Sequence, residues 1–254
     1  MNLNLRQTQL VTELRAHGTA TIEGLASKFG VTLQTIRRDV ALLAEAGLLS
    51  RYHGGVRMPG STTENTAYHQ RQETHAEAKR AIATRVAKAV PEGCSLLINI
   101  GTTTEAIARA LLHHKGLRII TNNLNVAAIL SDNPDCEVII AGGIVRPQDR
   151  GIIGELTVEF ISQFKVDIGL IGISGIEADG TLRDFDYREV KAARAIIDHS
   201  RQVWLAADQS KFNRPAMVHL ATLNEIDRIF TDRPPPDPFP ALLREAGVPV
   251  ETGA

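Results

Sequence analysis

A chain of 254 residues that is 43% hydrophobic and 22% charged, with a net charge of −1, holds enough apolar material for two modest cores and is neither disordered nor fibrous. Its two cysteines, Cys94 and Cys136, stand in no CxxC pair or Cys/His cluster, which argues against a disulfide framework and a zinc site and fits reduced thiols in the cytosol. No apolar run approaches the roughly 20 residues of a membrane span, and the first ten residues lack an apolar signal core, so a cytoplasmic protein with no membrane partner is expected.

Charge is unevenly spread. Residues 1–58 carry seven Lys and Arg against four acids, a net +3, while the rest carries 21 against 25, a net −4. A small basic head on an acidic body suggests a polyanion-binding module joined to something else. The head reads as three short helices. Over 7–17, Leu10, Val11 and Leu14 recur at helical spacing and Gly18 ends the run; over 21–29, Ile22, Leu25, Ala26 and Phe29 do the same before Gly30. A third helix starts after Thr32, a good N-cap residue, with Leu33, Ile36, Val40 and Leu43 expected on one face and Gly47 closing it. The run LLSRYHGGVRM (48–58) then reads as two short strands about a His53-Gly54-Gly55 corner. Three helices and a hairpin make a winged helix.

Residues 59–76 are polar and nearly free of aliphatic side chains, and read as a linker or linker helix. From Cys94 onward, β-rich runs alternate with helical stretches: CSLLINI with TEAIARALLHH, LRIIT with NLNVAAILS, VDIGLIGIS with REVKAARAIIDHS, then QVWLAAD. Alternation of this kind predicts an α/β body with a doubly wound parallel sheet and helices on both faces. The expected domains are therefore a winged helix-turn-helix over 1–58, a linker over 59–76 and an α/β domain over 77–254.

In the head, a second helix that buries one face and exposes polar and basic groups on the other is a helix-turn-helix arrangement. Gln34, Arg37 and Arg38 lie away from Ile36, and Thr32, Gln34 and Thr35 sit in the first turn. Gln suits an adenine edge, Arg a guanine edge, and Thr either base or phosphate. On the wing, Arg51, His53 and Arg57 suit phosphate or minor-groove contacts. In the body, Asn99-Ile100-Gly101-Thr102-Thr103-Thr104 joins a strand to a helix, and reads equally as a phosphate cradle and as an ordinary capped loop. Asn122, Asn123, Gly142 and Gly143 follow strands where an α/β crevice opens, although turn chemistry also uses Asn and Gly.

These residues carry a resemblance. VTLQTIRRDVALLAEAGLLSRYHGGVR resembles the DNA-binding region of the DeoR family of bacterial transcriptional regulators, and LINIGTTTEAIARAL, TNNLNVA, AGGIVRPQDRGIIGE and ADQSKF resemble that family's effector domain in the same order. The resemblance covers nearly the whole chain. It implies an effector domain like the fold of sugar-phosphate isomerases, a repressor on operator double-stranded DNA, and release by a small phosphorylated effector. Within the family, TNNLNVAAIL and SKFNRPAMV look closest to members that answer to sn-glycerol 3-phosphate and govern genes for glycerol and glycerol-3-phosphate use. It further implies that Lys211 is the effector-domain lysine, a counter-charge for phosphate. Asp184, Asp186 and Glu189 are candidate hydroxyl acceptors, with Arg183 or Arg188 as alternative phosphate partners. The family's loop usually begins with Asp where Asn99 stands, an exchange that removes a carboxylate beside the ligand. A homo-oligomer, dimer or tetramer, is expected, because one helix-turn-helix seldom supplies enough specificity. An isomerase-like enzyme is the competing reading. Against it, GxSxG, HExxH, GxxxxGK[ST] and GxGxxG are missing, and no catalytic residue, cofactor or metal is expected.

Overall fold

The computed structural model describes residues 3–17, 19–52, 55–58, 62 and 65–253. Their contacts divide the chain into two compact units, 1–61 and 62–254.

The first unit contains α1 (Leu5–His17), β1 (Thr19–Thr21), α2 (Ile22–Phe29), α3 (Leu33–Glu45), β2 (Ser50–Tyr52) and β3 (Gly55–Arg57). The wing strands β2 and β3 are antiparallel, with Ser50 opposite Arg57 and Tyr52 opposite Gly55. β1 adds a third strand beside β3; the expected second helix over 21–29 took in only its last residue, Thr21, and nothing in the sequence marked Thr19 and Ala20 as a strand. The expected apolar stripes meet in one core of Leu10, Leu14, Leu25, Ile36, Val40, Leu43, Leu49 and Val56. Leu33 departs from its expected place. It is 41% exposed in the first turn of α3, beyond the edge of this core. The buried stripe of α3 instead includes Asp39, whose carboxylate accepts Arg6 Nε at 2.6 Å and Gln7 Nε2 at 3.0 Å, so α1 and α3 are joined by a satisfied polar contact. The corner residues His53 and Gly54, and Gly18, lie outside the described residues.

The second unit begins with α4 (Tyr68–Glu73) and α5 (Ala76–Ala89), followed by β4 (Ser95–Ile98), α6 (Thr102–Ala110), β5 (Leu117–Thr121), α7 (Leu124–Leu130) and β6 (Cys136–Ile140). A hairpin of β7 (Ile144–Arg146) and β8 (Gly151–Ile153) precedes α8 (Glu155–Ile161) and β9 (Val166–Gly172). The chain then runs through β10 (Gly175–Ile176), β11 (Thr181–Asp184), α9 (Tyr187–Asp198), β12 (Ser200–Ala206), β13 (Val218–Thr222), β14 (Arg228–Thr231), α10 (Phe239–Glu245) and β15 (Val250–Thr252).

Seven of these strands form one parallel sheet in the order β15-β14-β12-β9-β4-β5-β6. Successive residues go to opposite faces. Leu96, Ile98, Ile119 and Leu170 join α5, α6 and α7 in one core, while Leu97, Ile120 and Ile171 join α8, α9 and α10 in the other. Both faces are covered, as the alternation predicted. Strand order reverses between β4 and β9, and in such sheets ligands occupy the crevice outside the carboxyl ends at that reversal. β10, β11 and β13 form a small antiparallel sheet that the sequence did not announce.

Residues 65–76, expected as linker, are held on the second unit. Most of their side chains are exposed, but the stretch is tied down at points: the Tyr68 hydroxyl donates to both carboxylate oxygens of Glu105 at 2.9 Å, and Lys79 Nζ donates to the Arg71 carbonyl and, at 2.8 Å, to the Thr74 carbonyl.

Candidate functional site

In the first unit, α2 and α3 are joined by three residues. Gly30 takes the left-handed conformation at φ 63, which a Cβ would strain, and closes α2, while the Thr32 side chain caps α3 by accepting from Thr35 N at 3.2 Å. Thr32, Gln34, Arg37 and Arg38 are exposed and Thr35 is half-buried, so one face of α3 presents an amide, two guanidiniums and hydroxyls to solvent. The Thr32 and Thr35 hydroxyls lie 2.9 Å apart, which ties them to the cap. Arg51 is exposed on β2, Arg57 lies in β3, and His53 is outside the described residues.

In the second unit, the loop after β4 forms the floor of the crevice. Asn99 is 4% exposed; its Nδ2 donates to Gly172 O at 3.1 Å and its Oδ1 accepts Gly172 N at 2.9 Å, which pins β4 to β9 at the reversal. Thr104 Oγ1 bonds Asn99 O at 3.0 Å and Gly101 O at 2.8 Å, so this threonine holds the loop's own shape. Gly101 stands at the N-cap of α6 with no side chain to cap it, and Thr102 and Thr103 are buried in the first turn. Such a terminus leaves N–H groups and a positive dipole end facing the crevice.

Four cations gather near this loop. Lys211, half-buried after β12, has its ammonium pushed down to about 8 by burial against the pull of Asp208, with Arg214, Arg71 and Lys79 adding repulsion. Burial likewise lowers Lys79, again opposed by Asp208. For Asp208 burial would raise the carboxyl, but Lys211, Ser210 and His75 outweigh it and hold it low. Three of the four, Arg71, Lys79 and Arg214, were not singled out in the sequence. Arg71 and Lys79 sit in and just after a polar stretch that reads as solvated, and nothing local distinguishes them.

Beside the loop lies a cavity of about 480 Å³, lined by Asn65–Tyr68, Arg71, the β7–β8 hairpin and the corner from Asp184 to Glu189. Arg146 stands there between Asp149 at 2.5 Å, Asp186 at 3.0 Å and Glu189 at 2.5 Å. Burial and the nearby Asp184 raise the Glu189 carboxyl against the pull of Arg146. Asp184 is 7% exposed, lines the cavity, and makes no ion pair among the described residues. Arg183 pairs with Glu177 at 2.6 Å and Arg188 with Asp186 at 3.0 Å, which occupies both alternative phosphate partners.

Asn122 and Asn123 each use half an amide structurally. Asn122 Nδ2 donates to Ile152 O at 2.9 Å and Asn123 Oδ1 caps α7, while Asn122 Oδ1 and Asn123 Nδ2 are buried without partners among the described residues. Gly142 and Gly143 do not line the cavity. At Gly143 a Cβ would lie 2.3 Å from Thr157 Oγ1 and 2.8 Å from Ile153 O, so close backbone approach demands glycine there. The predicted residues thus divide into a cationic group at the β4 loop and Lys211, and an acid-rich cavity containing Asp184. Arg71 borders both.

A winged helix with a polar and basic exposed face, joined in one chain to a cation-lined α/β crevice, defines a two-module transcriptional regulator. Residues 6–62 match the DeoR-like helix-turn-helix domain and residues 74–233 match the DeoR C terminal sensor domain. The chain belongs to the DeoR family of helix-turn-helix repressors. Among curated relatives, the glycerol-3-phosphate regulon repressor of Escherichia coli (strain K12) is 47% identical over 251 residues, covering 97% of this chain and 99% of that protein. The glycerol-3-phosphate regulon repressor of Haemophilus influenzae is 48% identical over 231 residues, 91% of this chain and 90% of that one. The HTH-type transcriptional repressor CsqR of Escherichia coli is 39% identical over 247 residues, 97% and 94% of the two chains. A solved ribose 5-phosphate isomerase A from Neisseria gonorrhoeae overlaps 56% of this chain and 55% of its own, at 16% identity and a TM-score of 0.39.

Proposed function

We propose that this repressor holds operator DNA of genes for glycerol and glycerol-3-phosphate use and lets go when sn-glycerol 3-phosphate fills the crevice. The observation that carries this reading is the 47% identity to a glycerol-3-phosphate regulon repressor along 97% of the chain. The crevice chemistry agrees with it, since cations suit a phosphate and buried carboxylates and amides suit hydroxyls. In this reading Thr32, Gln34, Thr35, Arg37 and Arg38 enter the major groove, and Arg51, His53 and Arg57 take the backbone or minor groove. Lys211 and the Gly101, Thr102 and Thr103 terminus of α6 take the phosphate, while Asn122, Asn123 and Asp184 face hydroxyls. Asn99, Gly142 and Gly143 contribute by shaping the crevice rather than by direct contact.

The protein works in the cytoplasm as a homo-oligomer on repeated half-sites and performs no chemistry on its ligand. A coupling of about 1–3 kcal/mol between sites is enough to weaken operator binding roughly 5- to 150-fold. The test is release of the purified protein from its own upstream DNA at fixed salt, across glycerol 3-phosphate, glycerol, and hexose and pentose phosphates. Release by glycerol 3-phosphate alone is expected. Release by another phosphate replaces the ligand and keeps the repressor, and turnover of any of these compounds overturns the sensor reading in favour of an enzyme.

A further inference from the structure

Residues 65–75 follow directly on the winged-helix unit in the chain, and within the second unit they are stitched to the crevice at three points. Asn65 Oδ1 accepts Arg214 Nη2 at 2.9 Å, while Arg214 Nη1 donates to Ser174 O at 2.9 Å. The Tyr68 hydroxyl is held by Glu105, by Asn125 Nδ2 at 2.9 Å and by Gln72 Nε2 at 2.6 Å. The Arg71 carbonyl accepts Lys79 Nζ and, at 3.5 Å, Thr102 Oγ1. Arg214 and Lys79, two of the groups that fasten the segment, are also two of the cations crowded about Lys211.

The Arg71 side chain stands apart from this bonding. Its Nε is buried with no hydrogen-bond partner among the described residues. Its Nη2 comes only to 4.0 Å from Asp149, whose carboxylate is already held by Arg146 at 2.5 Å. Buried guanidinium donors ordinarily find acceptors, and a planar fork of N–H groups matches phosphate better than any other side chain. This unmet donor borders the acid-rich cavity and lies within electrostatic reach of Lys211, between the two ends that a phosphorylated polyol requires.

We propose that Arg71 binds the effector's phosphate directly and that its engagement clamps segment 65–75 onto the crevice, so that the stretch leading out of the winged helix is itself part of the ligand site. The proposal rests on the crevice being the phosphorylated-polyol site. In the free protein Lys211 and Lys79 both lean on Asp208, while Arg71 and Arg214 add repulsion at Lys211; a dianion relieves that repulsion and adds a fork of charge-assisted bonds to the segment itself.

The test uses the full chain as wild type, Arg71→Gln and Arg71→Lys. Binding of inorganic phosphate and of glycerol 3-phosphate is measured by calorimetry, operator release is followed at saturating ligand, and amide exchange of residues 65–75 is compared with and without ligand. Arg71→Gln should weaken both ligands roughly ten- to a hundredfold and abolish the ligand-induced protection of 65–75. Arg71→Lys, which keeps the charge and loses the fork, should recover part of the affinity. Wild-type affinity in Arg71→Gln, or no ligand-dependent protection of 65–75 in the wild type, overturns the proposal. A wild type that binds neither phosphate nor any polyol phosphate overturns the crevice reading itself, which separates the two failures.

Discussion

Asn99 and Gly172, 73 residues apart, clasp each other across the strand reversal: the Asn99 amide donates to the Gly172 carbonyl at 3.1 Å and accepts the Gly172 N–H at 2.9 Å. Only a group that both donates and accepts can make this pair. The residue that stands where the family usually has Asp therefore joins β4 to β9 with a neutral clamp and puts no negative charge beside the α6 terminus. Asn99→Asp should lose about 1–3 kcal/mol of stability near neutral pH, because the Gly172 carbonyl loses its donor in a buried site. Urea unfolding at pH 7.5 measures this. The loss should shrink at a pH low enough to protonate the new carboxyl, and an unchanged midpoint would show that the clamp contributes nothing.

With Lys211 in the effector site, as proposed, effector binding should depend on pH. Its ammonium, lowered to about 8 by burial, faces Asp208, Arg214, Arg71 and Lys79. A bound dianion raises it again, so above about pH 8 binding must take up a proton. Affinity is expected to be greatest below about 8 and to decline as pH rises further, with proton uptake visible as buffer-dependent heats of binding. Heats independent of the buffer would remove Lys211 from the site.

Lys211→Ala carries a second expectation: operator binding persists and the response to glycerol 3-phosphate is blunted. Gel shifts with rising ligand would show it. Loss of DNA binding as well would point to a folding defect.

Arg38 is exposed on α3 next to Arg37, with no partner that would hold it back from a groove among the described residues. Arg38→Ala should weaken operator binding by about 1–3 kcal/mol, the range for an arginine that reads a base edge. If it meets phosphate instead, the logarithmic salt slope should fall by roughly 0.9. Fluorescence anisotropy across salt concentrations distinguishes the two, and ligand affinity should not change in either case.

Asp39 sits 4% exposed on the core side of the same helix, held by Arg6 and Gln7. Replacing it with Ala leaves the Gln7 amide, itself 5% exposed, without its acceptor, at a cost of about 1–3 kcal/mol. Faster amide exchange in α1 and α3, with exchange in β4 and β9 unaltered, is the expected signature. Uniform loss of protection would mean that the two units do not unfold separately.

Much of this protein is written in local patterns. The stripes at Leu10, Leu25, Ile36 and Val40 specify helices because burial of one face repeats at the helical period, and they converge in one core. Apolar runs such as LLINI and VDIGLIGI specify parallel strands because both faces of that sheet are covered, which leaves no polar alternation to read. The exposed face of α3 was legible for the same reason. Other features depended on which distant segments meet. Leu33 fits the apolar stripe by spacing, yet the core ends one turn short of it. Arg71 and Lys79 read as solvated, since a cation in sequence carries no mark of whether water or Lys211 is its neighbour. Asn99 reads as a ligand group until Gly172 takes both ends of its amide. Sequence alone determined the two modules, most of their helices and core parallel strands, and the face of α3 turned to solvent, because those follow from periodicity within a few turns; β1 and the small β10-β11-β13 sheet did not. Only the tertiary structure decided the strand reversal at β4 and β9, the four-cation cluster and the docking of residues 65–75, because each arises from charges and hydrogen-bonding groups that the fold brings together across long stretches of chain.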